Sequence, residues 1–369
     1  MSRVLNFSAG PSVFPVEVLE TAAAEMTNWH GCGMGVMEMS HRSKEYMSII
    51  GKAQADLKDL LQIPDNFVTL FMQGGASLEF AGIPLNFLRE KTEANYLVTG
   101  AWSQKAWEEA KKYCTPVVTA TGKASNFTTV PEVQLWNINR EAAFFHYCNN
   151  ETIHGLEYNL PTEAWEALGD MPVVADMSSN FISQPIDFSK HICIYAGAQK
   201  NAGPAGVCMV MVRQDQLGHS RPITPTLMDF KTAADNGSMY NTPPTYAIYM
   251  CGLYFDYMKR MGGVQHFQEL AQQKSGLLYG TIDESRGFYA NPVERPFRSR
   301  MNVPFLIKGG NTDLEKKFVA QAKERNMVNL DGHRSVGGLR ASLYNGMTLE
   351  GVRSLCDFMR EFQTANESS

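Results

Sequence analysis

Short, continuous apolar runs alternate along much of the chain with longer stretches in which apolar residues recur every three or four positions. The runs at 67–72, 95–99, 116–119, 144–148, 173–176, 192–196 and 207–212 predict strands, several of them deep in a core. Helical spacing over 78–88 and 103–113 separates the first of these runs, so strand and helix alternate in the rhythm of a parallel sheet. Ahead of the first run, Tyr46, Ile49, Ile50, Ala53, Leu57, Leu60 and Leu61 mark an amphipathic helix over 44–62, with Ser43 as its N-cap. An earlier helix is expected over 16–29, behind an arm broken by Gly10, Pro11 and Pro15.

Beyond residue 213 the pattern changes. Segments rich in Pro, Asn and Thr lead to a long apolar helix over 246–261, closed by Lys259 and Arg260, which read as solvated surface cations able to interact with its negative end. Gly262 and Gly263 then mark a boundary. Helices over 264–283, 314–325 and 349–362, with strands at 302–307 and 339–344, describe a smaller α+β unit. The expected organisation is an arm over 1–15, a large α/β domain over 16–262 and a small C-terminal domain over 263–369.

Composition narrows the functional classes. A chain of 369 residues, 44% hydrophobic and 19% charged, is an ordinary globular protein with enough burial to need no staples. Its net charge of -5 gives no basic field for nucleic acid or anionic membrane, so any cationic site must be local. The seven cysteines (Cys32, Cys114, Cys148, Cys193, Cys208, Cys251 and Cys356) are scattered, odd in number and without a C-x-x-C pair, and read as free thiols. The N-terminus has no signal-peptide pattern and no segment is apolar enough to span a bilayer, so a cytoplasmic protein is expected.

Candidate chemistry collects at the ends of the strand runs, where open α/β sheets bind ligands. Lys200 stands in AGAQKNAGPAG between two apolar runs; burial there would lower its pKa and make it a nucleophile able to form a Schiff base, while a solvated loop lysine is the plain alternative. Asp176 ends the run MPVVAD, and a carboxylate there needs a cation or strong donor such as a pyridinium N–H. Together the two suit a pyridoxal phosphate better than either does alone. Gly74, Gly75, Ala76 and Ser77 link a strand to a helix and can cradle a phosphate, or form an ordinary turn. Trp102 can stack on a planar ring or pack in the core, and Thr152 can offer a hydroxyl or cap a helix. His41, Arg42, His333, Arg334 and Arg340 point to a substrate with more than one anionic group, each having surface solvation as its alternative. No histidine pair has metal-ligand spacing.

With these residues in place, NFSAGP, NETIHG, VVADMSSNFISQPID, AGAQKNAGPAG, NTPPTY, MNVPF and GHRSVGGLRASLYN closely resemble the phosphoserine aminotransferase family, class V pyridoxal-phosphate enzymes of fold type I. The resemblance implies a large domain on a mainly parallel, seven-stranded type of sheet plus a smaller α+β domain. It implies that Lys200 holds pyridoxal 5′-phosphate as a Schiff base and shuttles the proton between Cα and C4′. It places Asp176 on the pyridine nitrogen, Trp102 on the ring face and Thr152 near the phenolic oxygen. The cofactor phosphate falls to Ala76, Ser77 and Gln199, with Asn241 and Thr242 arriving from the second subunit of a homodimer. Arg340 takes the substrate α-carboxylate, and His333 and Arg334, with His41 and Arg42 of the second subunit, take the phosphate or distal carboxylate. The activity implied is amino transfer from L-glutamate to 3-phosphohydroxypyruvate, giving O-phospho-L-serine and 2-oxoglutarate in serine biosynthesis. The chain departs from that pattern at Ser77, where bacterial members often carry arginine, and at Ala9, where some carry serine. The alternatives within the class are a small-amino-acid transaminase and a cysteine desulfurase; outside it, a non-catalytic binding protein in which Lys200 is incidental.

Overall fold

The computed structural model describes residues 3–367 of the chain; residues 1 and 2 of the expected arm and 368 and 369 of the expected small domain lie outside them. The arm carries β1 (Leu5–Asn6), and helices α1 (Val16–Ala24) and α2 (Lys44–Leu61) follow. Strands and helices then alternate through β2 (Phe67–Gln73), α3 (Ala76–Phe87), β3 (Glu93–Val98), α4 (Ala101–Ala110) and β4 (Thr115–Thr121). Next come β5 (Phe145–Cys148), the short β6 (Asn150–Glu151) and β7 (Leu156–Glu157), α5 (Thr162–Leu168), β8 (Val173–Asp176), β9 (Cys193–Gly197) and β10 (Val207–Arg213). Three helices, α6 (Phe230–Asp235), α7 (Thr245–Arg260) and α8 (Gly263–Glu284), lead into β11 (Tyr289–Ala290), β12 (Asn302–Ile307), α9 (Thr312–Glu324), β13 (Met327–Val328), β14 (Leu339–Ser342) and α10 (Leu349–Asn366).

The main sheet has seven strands in the order β2-β10-β9-β8-β5-β3-β4. Only β10 runs against its neighbours, pairing antiparallel with both β2 and β9; the remaining pairs are parallel. Six strands therefore end at the same edge, and the chain leaves that edge at Gly74, Thr99, Gly122, Asn149, Met177 and Ala198. Both faces of the sheet are covered. Along β10, Val207, Met209 and Met211 join the core that holds α2 and α7, while Cys208, Val210 and Val212 join the core that holds α3 and α6. A strand buried on both sides must be apolar throughout, which is why these segments read as unbroken runs.

A separate apolar cluster joins α8, β12, β14, α9 and α10, and the three-stranded sheet β11-β12-β14 lies within it. The arm belongs to this cluster through Phe7, and β1 pairs in parallel with β13.

Helix ends follow local chemistry. Ser43 caps α2 by accepting from the Tyr46 N–H at 3.2 Å, and Gln62 stops the helix with φ 53°. The helix expected over 16–29 stops early, at Ala24. There Glu25 accepts from the Tyr249 hydroxyl and meets His30 at 3.0 Å, so tertiary contacts fold back the segment that helical spacing would have continued. Lys259 and Arg260 are exposed, as expected of surface cations, and are also paired. Instead of only facing a helix end, Lys259 pairs with Asp56 at 2.8 Å and Asp59 at 2.7 Å, and Arg260 pairs with Glu17 at 2.6 Å and Asp256 at 3.0 Å. No helix among the described residues is long and apolar enough to cross a membrane.

Candidate active site

The shared edge of the strands opens on a cavity of about 250 Å³. Its floor is set by the turn after β9. Ala198 donates its N–H to Val207, closing the turn onto β10, and the Lys200 side chain, 9% exposed, enters the cavity. From the arm, Ser12 donates its hydroxyl to the Lys200 carbonyl and its backbone N–H to the Gln199 carbonyl at 2.9 Å, so the turn is held from both sides. Gly203 lets this turn lie against α7: a Cβ there would stand 2.4 Å from Cys251 Sγ.

The amine of Lys200 has two neighbours from different strand ends. It donates to Thr152 Oγ1 at 2.7 Å and lies 4.9 Å from the centroid of the Trp102 ring. Thr152 follows β6, and Trp102 opens α4. Between them, Glu151 is fully buried and accepts from the backbone N–H groups of Trp102 at 2.8 Å and Ser103 at 2.9 Å, capping α4 from another strand. Asp176, at the tip of β8, accepts at Oδ1 from the Ser178 N–H at 2.9 Å and hydroxyl at 2.6 Å. That hydroxyl oxygen accepts in turn from the Gly197 N–H at 3.0 Å, locking β8 to β9 beneath the cavity.

Burial dominates the electrostatics. It lowers the pKa of Lys200, against the pull of Asp176, Cys148 and Glu151, and so favours the neutral amine. It raises the pKa of Asp176, opposed by Lys200 and by the Ser178 hydrogen bonds. At the far wall, Arg340 donates to the Thr152 carbonyl at 3.3 Å, and His333 Nδ1 is 2.7 Å from Ser335 Oγ. Burial, followed by the charges of Arg340, Lys105 and Arg334, lowers the pKa of His333.

Of the residues singled out in the sequence, Ala76, Ser77, Trp102, Thr152, Asp176, Gln199, Lys200, His333 and Arg340 line this one cavity. His41, Arg42, Asn241, Thr242 and Arg334 do not. Arg42 and Arg334 are exposed; His41 Nε2 is buried without a hydrogen-bond partner; Asn241 accepts from the Gln73 side chain at 3.0 Å outside the cavity. Sequence reasoning missed Glu151, Ser178 and Ser12. Glu151 and Ser178 lie within the motifs quoted above, but a polar residue beside a strand end does not reveal which distant N–H it meets. No group of acidic, histidine or cysteine side chains among the described residues could hold a metal ion.

The cavity suits pyridoxal phosphate. Gly74 and Gly75 have φ of 91° and 70°, and α3 starts at Ala76 with no side-chain cap, leaving first-turn N–H groups for a phosphate. Asp176 is available to a ring N–H, Lys200 to an aldehyde, Thr152 to a ring hydroxyl and Trp102 to a ring face, all around the same space. The family model for aminotransferase class-V matches residues 4–355, and the chain belongs to this pyridoxal-phosphate-dependent family. Within it, the likeness is to one branch. A phosphoserine aminotransferase of Laribacter hongkongensis (strain HLHK9) is 52% identical over 359 residues, covering 97% of this chain and 98% of the relative. The structure of a phosphoserine aminotransferase from Bacillus circulans subsp. alkalophilus superposes with a TM-score of 0.94 at 42% identity, covering 98% of this chain and 99% of that one. The pyridoxal-phosphate-bound enzyme from Trichomonas vaginalis gives a TM-score of 0.92 at 42% identity, covering 97% and 100%.

Proposed function

We infer that this chain is a phosphoserine transaminase, moving the amino group of L-glutamate to 3-phosphohydroxypyruvate to give O-phospho-L-serine and 2-oxoglutarate in serine biosynthesis. The observation that carries the reading is the buried Lys200 amine, 2.7 Å from Thr152 Oγ1 and over the Trp102 ring, in a cavity whose other walls hold Asp176, His333 and Arg340. Pyridoxal phosphate, when bound, supplies the electrophilic carbon and the electron-accepting ring.

The chain's own residues do the rest. Lys200 Nζ, favoured as a neutral amine by burial, takes and returns the substrate Cα proton. Asp176, held by Ser178, keeps a proton on the ring nitrogen by charge. Trp102 fixes the ring plane, and Thr152, tied to Lys200, sets where the amine rests between transfers. Arg340 grips the α-carboxylate in bidentate fashion, while His333 and Arg334 receive the distal anion. Glutamate and O-phosphoserine use one site in turn, in two half-reactions.

The active unit in this reading is a cytoplasmic homodimer with shared sites. His41, Arg42, Asn241 and Thr242 serve the partner's cavity, and the segments that carry them, with Ser77, are flanked by exposed Met37, Met47, Leu78 and Tyr240, apolar surface that a second copy would cover. Residues 16–262 hold the cofactor and 263–369 close the substrate side. A desulfurase would need a reactive, accessible thiol, whereas five of the seven cysteines are buried and burial pushes Cys114 up to about 11.

The test is a half-reaction titration of the holoenzyme, following the absorbance of the bound cofactor. O-phosphoserine and glutamate should convert it fully at low concentration, and serine and alanine poorly. Equal response to all four amino acids would refute the substrate assignment.

A further inference from the structure

One cation beside the cavity-lining Trp102 has no role in this account. Lys105 is exposed and follows Trp102 by three positions on α4, which puts both on the same helix face. Its Nζ lies 4.5 Å from the centroid of the Trp102 ring, and that indole lines the cavity with His333 and Arg340. Among the described residues, the Lys105 side chain makes no ion pair and no hydrogen bond, and the Arg334 side chain makes none either. The charge of Lys105 is nonetheless felt at His333, as are those of Arg340 and Arg334.

Three cationic groups thus act on His333, and among the described residues no carboxylate is paired to any of the four. Nearby acids are committed elsewhere: Glu151 to the start of α4, Asp176 to Ser178 and the charge of Lys200, and, on α4 itself, Glu108 to Gln104 and Glu109 to Lys112. Such an arrangement is unfavourable until an anion enters. An exposed cation–π contact is a weak hold, whereas an ammonium bound to phosphate oxygens makes charge-assisted hydrogen bonds of about twice the ordinary strength. Lysine's flexible stem lets the charge swing from one to the other while the methylene groups stay on the indole.

We propose that Lys105 is a specificity-determining residue of the substrate site, whose ammonium leaves the Trp102 face to bind the dianionic phosphate of a phosphorylated amino acid. The proposal rests on the phosphoserine reading above. It assigns Lys105 to the substrate phosphate and not to that of the cofactor, which has the N–H groups at the start of α3.

The test uses holoenzyme fixed with borohydride, which binds amino acids without turning over. Titration calorimetry would measure O-phosphoserine, serine and inorganic phosphate against wild type, Lys105→Met and Lys105→Arg. The methionine variant keeps the apolar stem on Trp102 and removes only the charge. It should bind O-phosphoserine and inorganic phosphate roughly tenfold more weakly, the factor expected from one charged hydrogen bond, with serine unchanged. Arginine should restore most of the loss. Equal weakening of serine and O-phosphoserine would assign Lys105 to packing on Trp102, and unchanged binding of both would remove it from the site; either overturns the proposal. So would a defect confined to cofactor retention, measured by dialysis of the unreduced holoenzyme. If wild type itself does not prefer O-phosphoserine to serine, the phosphoserine reading fails and takes the proposal with it. If wild type prefers it and Lys105→Met keeps the full preference, only the proposal fails.

Discussion

Burial favours the protonated form of Glu79 in the folded protein, and that makes stability depend on pH in a calculable direction. The residue lies in the first turn of α3, is 1% exposed, and leaves Oε1 without a hydrogen-bond partner. Its carboxyl rests against Gly82, where a Cβ would come within 2.7 Å of Oε2. Burial pushes its pKa from the ordinary 4.5 up to about 8. Between those values the folded state holds one proton more than the unfolded chain, so stability falls as pH rises through the window. At about 1.4 kcal/mol per pH unit, the span from 4.5 to about 8 comes to an upper limit of about 5 kcal/mol, reached above pH 8 and absent below 4.5. The positive end of α3 favours the carboxylate and trims this by up to about 1 kcal/mol. Glu79→Gln imitates the protonated acid and cannot ionise. It should come within about 1 kcal/mol of wild type at pH 5 and exceed it by about 2–4 kcal/mol at pH 8.5. Urea unfolding of the holoenzyme across that range, with the midpoint read at constant slope, measures the difference. A gap that does not grow with pH, or a variant that falls behind wild type at high pH, would refute the reasoning.

Three further outcomes follow from single contacts. Glu151→Ala orphans the buried N–H groups of Trp102 and Ser103, each worth about 1–3 kcal/mol, partly offset because a buried carboxylate is removed. A net loss of about 2 kcal/mol is expected in urea unfolding, with faster cofactor release, and Glu151→Gln should recover part of both; a variant indistinguishable from wild type in both would remove Glu151 from this role. Gly203→Ala drives a methyl into Cys251 Sγ and should cost about 1–3 kcal/mol while disturbing the turn that holds Lys200. Adding Cys251→Ala should relieve that loss, and simple additivity in the double-mutant cycle would contradict the contact. Arg340→Ala should weaken glutamate and O-phosphoserine alike, since both present an α-carboxylate; a variant that loses only one of them in the half-reaction titration would reassign the residue.

Strand runs were the most legible part of the sequence. The strands Val173–Asp176 and Asn302–Ile307 begin and end where the runs read from the sequence do, because nearly all of their residues are buried. The turn around Lys200 was legible too, since two apolar runs so close in sequence leave room only for a tight loop between neighbouring strands. What sequence could not show was mostly partnership across the fold. Helical spacing continued past Ala24, but Tyr249 and His30 draw Glu25 out of the helix. Lys259 and Arg260 found carboxylates on α1, α2 and their own helix. Glu151 and Ser178 looked like ordinary polar neighbours of Thr152 and Asp176, and only the packed chain shows that they hold Trp102 and Asp176 in place. His41, Arg42, Asn241 and Thr242 illustrate a different limit: motif resemblance named them, yet one chain alone does not gather them into its cavity.

The central claim is that the Lys200 amine carries the chemistry. The most direct measurement is borohydride reduction of wild type and Lys200→Ala after incubation with pyridoxal phosphate, followed by peptide mass analysis. Wild type should carry the reduced cofactor on the peptide containing Lys200, at one per chain, and the variant should carry none there. A wild type left unlabelled, or labelled at another lysine while Lys200→Ala retains transamination, would contradict the account.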